Sequence, residues 1–150
     1  MQKFNVNTDP IFKDQLISKF IKKLSKKGNT RAASKQFYQA LTLLNTDKYS
    51  LEGKTPIEAF YQSVNFIKPV IYLKAVHSKG KLVKSPTPTP LNKQLNLAIL
   101  IITDAVNKRS ENCLHERIAN ELNDILSNSG ISVKKKNEIY KLAIASRTFI

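Results

Sequence analysis

The chain has 150 residues, a length that fits one domain, and 41% of them are hydrophobic, which is enough for a core and excludes wholesale disorder. Its 25 basic and 11 acidic residues give a formal net charge of +14, which implies a polyanionic partner such as nucleic acid or an acidic membrane surface. The one cysteine, Cys113, excludes a disulfide framework, and Cys113-Leu114-His115 has no second Cys or His nearby to complete a zinc site, so we predict no metal and no cofactor.

The positive charge is concentrated in two stretches of the chain. No Asp or Glu lies between Asp14 and Asp47 or between Glu58 and Asp104, and these stretches carry most of the net charge. Residues 101–150 contain eight basic and six acidic groups, so that third is nearly balanced. Such asymmetry is typical of a nucleic-acid footprint, although a solubilising surface produces a weaker version of it.

Two helices are predicted in the first third of the chain. The first begins at Asp9-Pro10 and ends at Gly28, because apolar residues recur at four-residue spacing. Those residues are Phe12, Leu16, Phe20 and Leu24, and a lysine stripe beside them comprises Lys19, Lys22, Lys23 and Lys26. The second helix covers about 30–45, and residues 46–54 form a loop. Its predicted buried residues are Ala33, Phe37, Ala40, Leu41 and Leu44.

Thr55-Pro56-Ile57-Glu58 predicts the start of a third helix. Thr is the N-cap, Pro occupies the first helical position, and Glu at the third position closes a capping box. Lys68-Pro69 ends the apolar pattern, since the residue before a proline avoids helical backbone. The apolar residues of this helix are Ile57, Phe60, Tyr61, Val64 and Ile67.

The segment after this helix predicts a basic β-hairpin arm at about 70–88. Residues 70–76 are β-branched and aromatic, 78–80 can turn, and 81–84 can return. The alternating prolines of 85–90 exclude helix and predict an extended return of the chain. The cations of the hairpin are Lys74, Lys79, Lys81 and Lys84, with His77 near its tip.

Three further helices complete the prediction. The first, at about 91–108, is apolar on most sides and is predicted to be central and buried. The next ends near Gly130, and its predicted buried residues are Leu114, Ile118, Leu122, Ile125 and Leu126. The last carries Ile139, Leu142, Ala143 and Phe149. The fold class is therefore mainly α: a single-domain bundle of about six helices over residues 1–150, with a short tail at 1–8 and a protruding β-hairpin arm.

The sequence LHERIANELNDILSNSGISVKKKNEIYKLAIASRTF at 114–149 resembles the C-terminal half of bacterial-type small-subunit ribosomal protein S-seven. In that family an R-x-ANEL helix leads through a Gly to a VKK motif and a final helix. AVNKRS at 105–110 resembles its A-x-KR segment, and KPVIYLK at 68–74 its RP-x-V-E-V-K strand. DPIF at 9–12 and SKF at 18–20 resemble its opening. The resemblance covers nearly the whole chain.

This resemblance implies a specific partner and role. Members of the family are not enzymes; they bind the 3′ major domain of small-subunit rRNA and help to nucleate assembly of the subunit head. Their hairpin lies near the exit-site tRNA, and ribosomal proteins of the head and platform are their neighbours. Their fold, a helical bundle with a hairpin extension, agrees with the elements predicted above, and we predict no membrane partner.

The predicted RNA contacts combine the lysine stripe, the hairpin cations and the motif residues of the C-terminal half. They are Lys22, Lys26, Lys27, Lys74, His77, Lys79, Lys81, Lys84, Lys93, Lys108, Arg109, Arg117, Lys134, Lys135 and Lys136. We place Lys134, Lys135 and Lys136 on a loop and first helical turn, where backbone N–H and ammonium groups both meet a phosphate. The alternative is a solvated charge run.

Other interpretations stay open for individual residues. Arg117 can instead pair with Glu121, four residues on, and His77 can be an exposed turn residue. Tyr72 is left open between packing and base stacking, whereas Phe20, Phe37 and Phe60 have the spacing of core residues. His115 beside Glu116 lacks the nucleophile or partner motif of an acid-base site, so we assign it to the surface.

The two alternative classes are a DNA-binding protein and an RNA-processing enzyme. A basic helical DNA-binding protein would need an exposed recognition helix, which the apolar 91–108 segment does not provide, and an RNA-processing enzyme would need a catalytic constellation.

Lysine outnumbers arginine 21 to 4, a bias expected from A+T-rich codons. With no presequence and with ends shorter than the family's, this predicts an organelle-encoded mitochondrial protein; a plastid or the bacterial cytoplasm is the alternative.

Overall fold

A computed structural model describes residues 9–25, 27–44, 55–78 and 80–146, apart from the side chains of Ser78, Lys81 and Val83. Over these ranges the chain forms six α-helices and one two-stranded antiparallel hairpin, which confirms the mainly α fold with a β-hairpin. In chain order the elements are α1 (Gln15–Leu24), α2 (Thr30–Thr42), α3 (Pro56–Ile67), β1 (Ile71–Ser78), β2 (Lys81–Pro88), α4 (Leu91–Lys108), α5 (Leu114–Leu126) and α6 (Gly130–Ser146).

The first helix begins at Gln15, so the predicted start at Asp9-Pro10 is wrong. The Asp9 carboxylate accepts hydrogen bonds from two backbone N–H groups of a separate turn, and Lys13 then takes a φ of 52°, which interrupts helical backbone. Asp14 is the true N-cap, since its side chain accepts from a backbone N–H two residues on at 2.9 Å. Phe12 therefore lies outside the helix and is 42% exposed.

The second and third helices follow the sequence pattern closely. After α1 ends at Leu24, the chain turns through Gly28, whose φ of 77° suits a glycine, and Asn29 caps α2. The capping box of α3 is confirmed: the backbone N–H of Thr55 donates to the Glu58 carboxylate at 3.0 Å. The predicted loop at 46–54 lies outside the described residues. The predicted buried residues of α2 are all buried: Ala33, Phe37, Ala40, Leu41 and Leu44.

The second strand of the hairpin is longer than the predicted 81–84, because the proline-rich segment belongs to β2. The strands pair from Ile71 opposite Pro88 to the Ser78–Lys81 pair at the turn. The backbone N–H of Thr89 donates across to the carbonyl of Val70 at 2.9 Å, which makes that pair a hydrogen-bonded one. Hydrogen-bonded and non-hydrogen-bonded pairs alternate in an antiparallel ladder. Pro86 and Pro88 therefore fall in non-hydrogen-bonded pairs, where the missing N–H costs no ladder bond.

The fourth helix is central, as predicted, and packs against α1, α3, α5 and α6. Its buried apolar residues are Ala98, Ile99, Ile101, Ile102, Ala105 and Val106. Beside it, Phe20, Phe37 and Phe60 from three different helices form an edge-to-face cluster with ring centroids 5.1 to 5.6 Å apart. These rings are fully buried, which confirms that they are core residues.

The turn between α5 and α6 differs from the prediction that Gly130 stops a helix. Asn128, with a φ of 57°, takes the left-handed position that ends α5, and the Ser129 N–H donates back to the Asp124 carbonyl at 2.8 Å. Gly130 instead begins α6 with a φ of 92°, and a Cβ there would lie 2.9 Å from the Asp124 Cβ. Glycine is required at Gly130 by this close approach as well as by its backbone conformation.

The final helix carries less of the core than its pattern predicts. Ala143 is buried, Ile139 is partly buried, and Leu142 is 49% exposed, so the apolar residues of α6 do not all join the core. Phe149 lies outside the described residues. None of the helices described is both long and apolar enough to cross a membrane.

Adjacent residues of α4 provide a test of this packing. Replacing Ile99, which is 2% exposed, with Ala is expected to lower the free energy of unfolding by about 2 to 5 kcal/mol, because apolar packing is removed and a cavity is left behind. Leu100→Ala is the matched control, because Leu100 is 42% exposed. Urea denaturation followed by circular dichroism measures both, and equal losses of stability would contradict the assigned orientation of α4.

Candidate nucleic-acid interface

The lysine stripe of α1 lies on the solvent side of that helix. Lys19, Lys22 and Lys23 are exposed and, at three- and four-residue spacing, share one face. Lys27 is exposed in the turn that follows, with a φ of 52°. Lys26 lies outside the described residues. The stripe therefore presents its ammonium groups along one side of the bundle.

Two contacts connect this stripe to the hairpin. The ammonium of Lys19 donates to the Asn96 side-chain oxygen of α4 at 3.5 Å. One turn earlier on α4, the ammonium of Lys93 lies 4.3 Å from the centroid of the Tyr72 ring on β1. Lys74 is two residues beyond Tyr72 and so projects on the same side of the strand. We call this surface the basic face; it comprises Lys19, Lys22, Lys23, Tyr72, Lys74 and Lys93.

The strand register divides the predicted hairpin cations between two sides. Lys74 is on the side of the basic face, whereas His77 and Lys84 project from the opposite side, since Lys84 pairs with the odd-numbered Ala75. All three of these side chains are exposed. Lys79 lies outside the described residues, and the side chain of Lys81 is likewise not described.

The lysine run occupies the second turn of α6 and not the loop and first turn that the sequence predicted. Backbone N–H groups there bond within the helix, so they cannot meet a phosphate. Lys135 pairs with Asp104 at 3.3 Å, and Lys136 donates to the Phe66 carbonyl with its ammonium 4.8 Å from the Phe66 ring centroid. Lys134 is exposed, and its side chain makes no hydrogen bond or ion pair with the residues described.

The N-terminus of α6 is already occupied by an anionic group of the protein itself. One carboxylate oxygen of the fully buried Glu121 accepts from the Ser132 backbone N–H at 2.9 Å and from the Ser132 hydroxyl at 2.6 Å. A carboxylate at this position accepts from one of the free N–H groups of the helix end and suits the helix dipole. The predicted phosphate site at the start of α6 is therefore filled by Glu121.

Arg109 has a structural role at the centre of an ion-pair cluster with three carboxylates. Its guanidinium pairs with Glu111 at 2.9 Å, Glu121 at 2.8 Å and Asp124 at 2.7 Å, and its side chain is 16% exposed. Burial acts to lower the pKa of Arg109, but hydrogen bonds to Asp124, then Glu121 and Glu111, outweigh it and raise the pKa above its ordinary value. The alternative pairing of Arg117 with Glu121 is wrong, because Arg109 takes that carboxylate.

Two more predicted contacts lie apart from the basic face. Lys108 is exposed at the far end of α4, about 22 Å along the helix from Lys93. Arg117 donates to the backbone carbonyls of Glu111 and Asn112 and lines a cleft of about 370 Å³ between the α1–α2 turn and the start of α5. The structure thus separates these two cations from the others.

Three members of the basic face were missing from the predicted contacts: Lys19, Lys23 and Tyr72. Lys19 and Lys23 were visible in the lysine stripe, Tyr72 was left open, and Asn96, the acceptor for Lys19, carried no signal in the sequence. Only the tertiary structure brings these elements together, because the contacts that join them cross from α1 to α4 and from α4 to β1.

Comparison with known proteins decides the family of this chain. The family model described as Ribosomal protein S7p/S5e matches residues 1–147. The chain belongs to the Ribosomal protein S7p/S5e family. Members of the S7p/S5e family are structural, non-enzymatic components of the ribosome, and rRNA binding is general among them.

Bacterial proteins are among its relatives, each called small ribosomal subunit protein uS7. The protein of Sulfurimonas denitrificans is 35% identical over 141 residues, which cover 94% of this chain and 88% of the relative. That of Natranaerobius thermophilus is 33% identical, with 98% and 92% covered, and that of Mycoplasma genitalium is 31% identical with the same coverage. The S7p/S5e match therefore extends over both the basic face and the Arg109 cluster.

Proposed function

We propose that this S7p/S5e protein is a component of the small ribosomal subunit that binds the 3′ major domain of its rRNA and nucleates assembly of the subunit head. The observation that carries the proposal is the basic face, in which α1, α4 and the hairpin present cations as one surface. The contact of Lys19 with Asn96 joins α1 to α4, and the contact of Lys93 with Tyr72 joins α4 to the hairpin. A continuous row of cations suits an RNA backbone, because phosphate contacts supply most of the affinity and position the protein.

The roles within the basic face follow from chemistry and exposure. Lys19, Lys74 and Lys93 are exposed ammonium groups and are assigned to phosphates. Tyr72 holds Lys93 over one side of its ring, so its role in the proposal is to fix the position of that cation. Specificity for the head domain would come from the shape and single-stranded junctions of the RNA. Of the lysine run, Lys134 alone is kept as a contact.

The hairpin is proposed to lie near the exit-site tRNA. His77 and Lys84 are exposed on the side away from the basic face, so they can meet a second RNA while the basic face holds the rRNA. Lys27 stays in the proposal on its exposure, and Lys26, Lys79 and Lys81 on their sequence positions alone.

Neighbouring ribosomal proteins of the head and platform are proposed to contact the other side of the hairpin base. A groove of about 380 Å³ lies there between the hairpin and α6, and its lining is largely apolar. Ile144 in this lining is 71% exposed. Exposed apolar surface of this kind is typical of protein contacts.

The cellular compartment is proposed from composition. The excess of lysine over arginine, 21 to 4, favours a ribosome encoded by an A+T-rich organelle genome, and we assign the chain to the mitochondrion. The relatives named above are bacterial, so the bacterial cytoplasm remains the competing assignment.

Binding to a head-domain rRNA fragment tests the main proposal. Purified protein is expected to bind this fragment better than a scrambled one. Its affinity should fall steeply with salt, by a logarithmic slope of about 0.7 to 0.9 for each phosphate contact. Duplex DNA of equal length is the control for a DNA-binding protein. A flat salt response, or equal affinity for DNA, would contradict the proposal.

Sedimentation of a lysate tests the assembly and the compartment together. The chain is expected to sediment with small ribosomal subunits prepared from the mitochondrial fraction, and cross-linking within that peak would identify its protein neighbours and any tRNA. Recovery only as free protein argues against assembly into a subunit. Recovery on cytoplasmic or plastid subunits would contradict only the mitochondrial assignment, and not assembly into a small subunit.

A further inference from the structure

Three potential metal ligands meet at the start of α5, outside the basic face. Cys113 is the N-cap residue, and His115 and Glu116 lie in the first turn. One ligand atom from each side chain lies within 4.8 Å of the other two. Thiolate sulfur, imidazole nitrogen and carboxylate oxygen are the donors that Zn²⁺ takes in proteins. The prediction of no zinc site rested on the lack of a second Cys or His, and it did not count Glu116 as a ligand.

The His115 ring is held by a hydrogen bond that determines its tautomer. Its Nδ1 lies 2.8 Å from the Gln36 side-chain oxygen on α2, and the His115 backbone N–H donates to the same atom at 3.2 Å. An atom that accepts from the backbone N–H must be the amide oxygen, so it accepts from Nδ1 as well. In the neutral ring Nδ1 therefore carries the proton, and Nε2 has a free lone pair. Metal-binding histidines are oriented in this way by a second acceptor.

We propose that Cys113, His115 and Glu116 bind Zn²⁺, or another divalent cation with the same preference for sulfur, nitrogen and oxygen ligands. Water would complete a tetrahedral site. Ligand atoms around tetrahedral zinc lie about 3.3 to 3.6 Å apart, as its bond lengths require, so a pair at the 4.8 Å limit must approach by about 1.2 to 1.5 Å. Cys113 and Glu116 are exposed, and their side chains make no hydrogen bond with other described residues, so both can rotate toward His115.

Charge balance also permits the site at a helix N-terminus. The helix dipole opposes a cation there but favours the two anionic ligands, the Cys113 thiolate and the Glu116 carboxylate. With neutral His115, the two negative charges cancel the charge of Zn²⁺. The helix dipole therefore acts on a complex that has no net charge. This inference is independent of whether the chain binds rRNA.

Cobalt titration of the whole chain under argon with a thiol-free reductant tests the proposal. Co²⁺ replaces Zn²⁺ in such sites and produces a thiolate-to-metal absorption band that Zn²⁺ then abolishes by displacement. Because the chain has one cysteine, the band would belong to Cys113. We expect one Co²⁺ per chain. A band that saturates at one metal per two chains would overturn the single-chain site, and so would the absence of any band.

Single variants test whether Co²⁺ binds at this site and not elsewhere on the chain. Cys113→Ser is expected to remove the band, and His115→Gln and Glu116→Gln to weaken the Co²⁺ dissociation constant about 100-fold. Gln36→Leu, which removes only the orienting acceptor, should weaken it about 10-fold, as loss of such a partner usually does. His77→Gln is the matched control, since it removes the other histidine of the chain. The proposal fails if His115→Gln binds like the parent or if His77→Gln weakens binding as much.

Thermal unfolding supplies an independent reading. Because a metal that binds the folded chain stabilises it, Zn²⁺ in excess should raise the melting temperature of the parent but not that of Cys113→Ser. Serine is a good N-cap, so this variant is expected to fold. An equal rise in both proteins would mean that the zinc effect does not come from this site.

Discussion

Replacing Arg109 with Ala is expected to lower the free energy of unfolding by about 3 to 5 kcal/mol, the usual cost of breaking a buried ion pair. The loss arises because Glu121 is fully buried and its carboxylate pairs with the Arg109 guanidinium at 2.8 Å. Without the guanidinium, this buried carboxylate loses its ion-pair partner. The same carboxylate holds Ser132 at the start of α6, so the damage should reach that helix. Urea denaturation measures the loss.

Arg117→Ala is the control for this prediction. Arg117 lies close by in the chain, but it donates to backbone carbonyls and has no carboxylate partner among the described residues. Its loss should cost about 0.5 to 1.5 kcal/mol, as for ordinary hydrogen bonds. The double variant Arg109→Ala/Glu121→Ala should cost less than the two single changes added together, because no charge is left unpaired. Additive losses, or an Arg109→Ala cost within the control range, would contradict the assigned role of the ion pair.

The double variant Lys74→Gln/Lys93→Gln is expected to bind the head-domain rRNA fragment about 10- to 100-fold more weakly, if each lysine contributes about 0.7 to 1.4 kcal/mol, as an ordinary hydrogen bond does. The salt slope should become shallower by about 0.7 to 0.9 for each phosphate that the variant no longer neutralises. Both side chains are exposed, so the melting temperature should change little. Fluorescence anisotropy at several salt concentrations measures affinity and slope together.

Lys35→Gln/Lys141→Gln is the matched control for charge. It removes the same two positive charges from exposed positions on α2 and α6 that do not belong to the basic face. A general electrostatic attraction predicts that both double variants weaken binding equally, whereas a defined interface predicts that the first weakens it far more. If the control weakened binding as much as the Lys74 and Lys93 changes, the basic face would not be the rRNA-binding surface.

Much of the fold was predictable because its signals are local. The capping box from Thr55 to Glu58 needs only four neighbouring residues, and α4 has the predicted bounds because apolar periodicity and Pro90 delimit it. Predictions failed where two local signals competed. Asp9 and Asp14 can each cap a helix, and the positive φ at Lys13 decided for Asp14. Likewise, Asn128 took the helix-ending position that glycine usually takes.

The candidate site was less predictable because a lysine has the same appearance in sequence whether it is exposed or paired. In the lysine run, Lys135 meets Asp104, 31 residues away, and Lys136 meets Phe66, 70 residues away. Arg109 was predicted as an RNA contact together with Lys74 and Lys93 of the basic face. Only the structure shows that Arg109 is surrounded by carboxylates while Lys74 and Lys93 are exposed.

The sequence by itself determined the regional excess of positive charge, the helical periodicities and the hairpin, since charge and apolar spacing are properties of residues close together in the chain. The tertiary structure decided which cations share a surface and which stabilise the core. It also brought Gln36 to His115, 79 positions apart. The physical reason is that ion pairs and hydrogen bonds act over a few ångströms, so the partner of each side chain depends on how the helices pack.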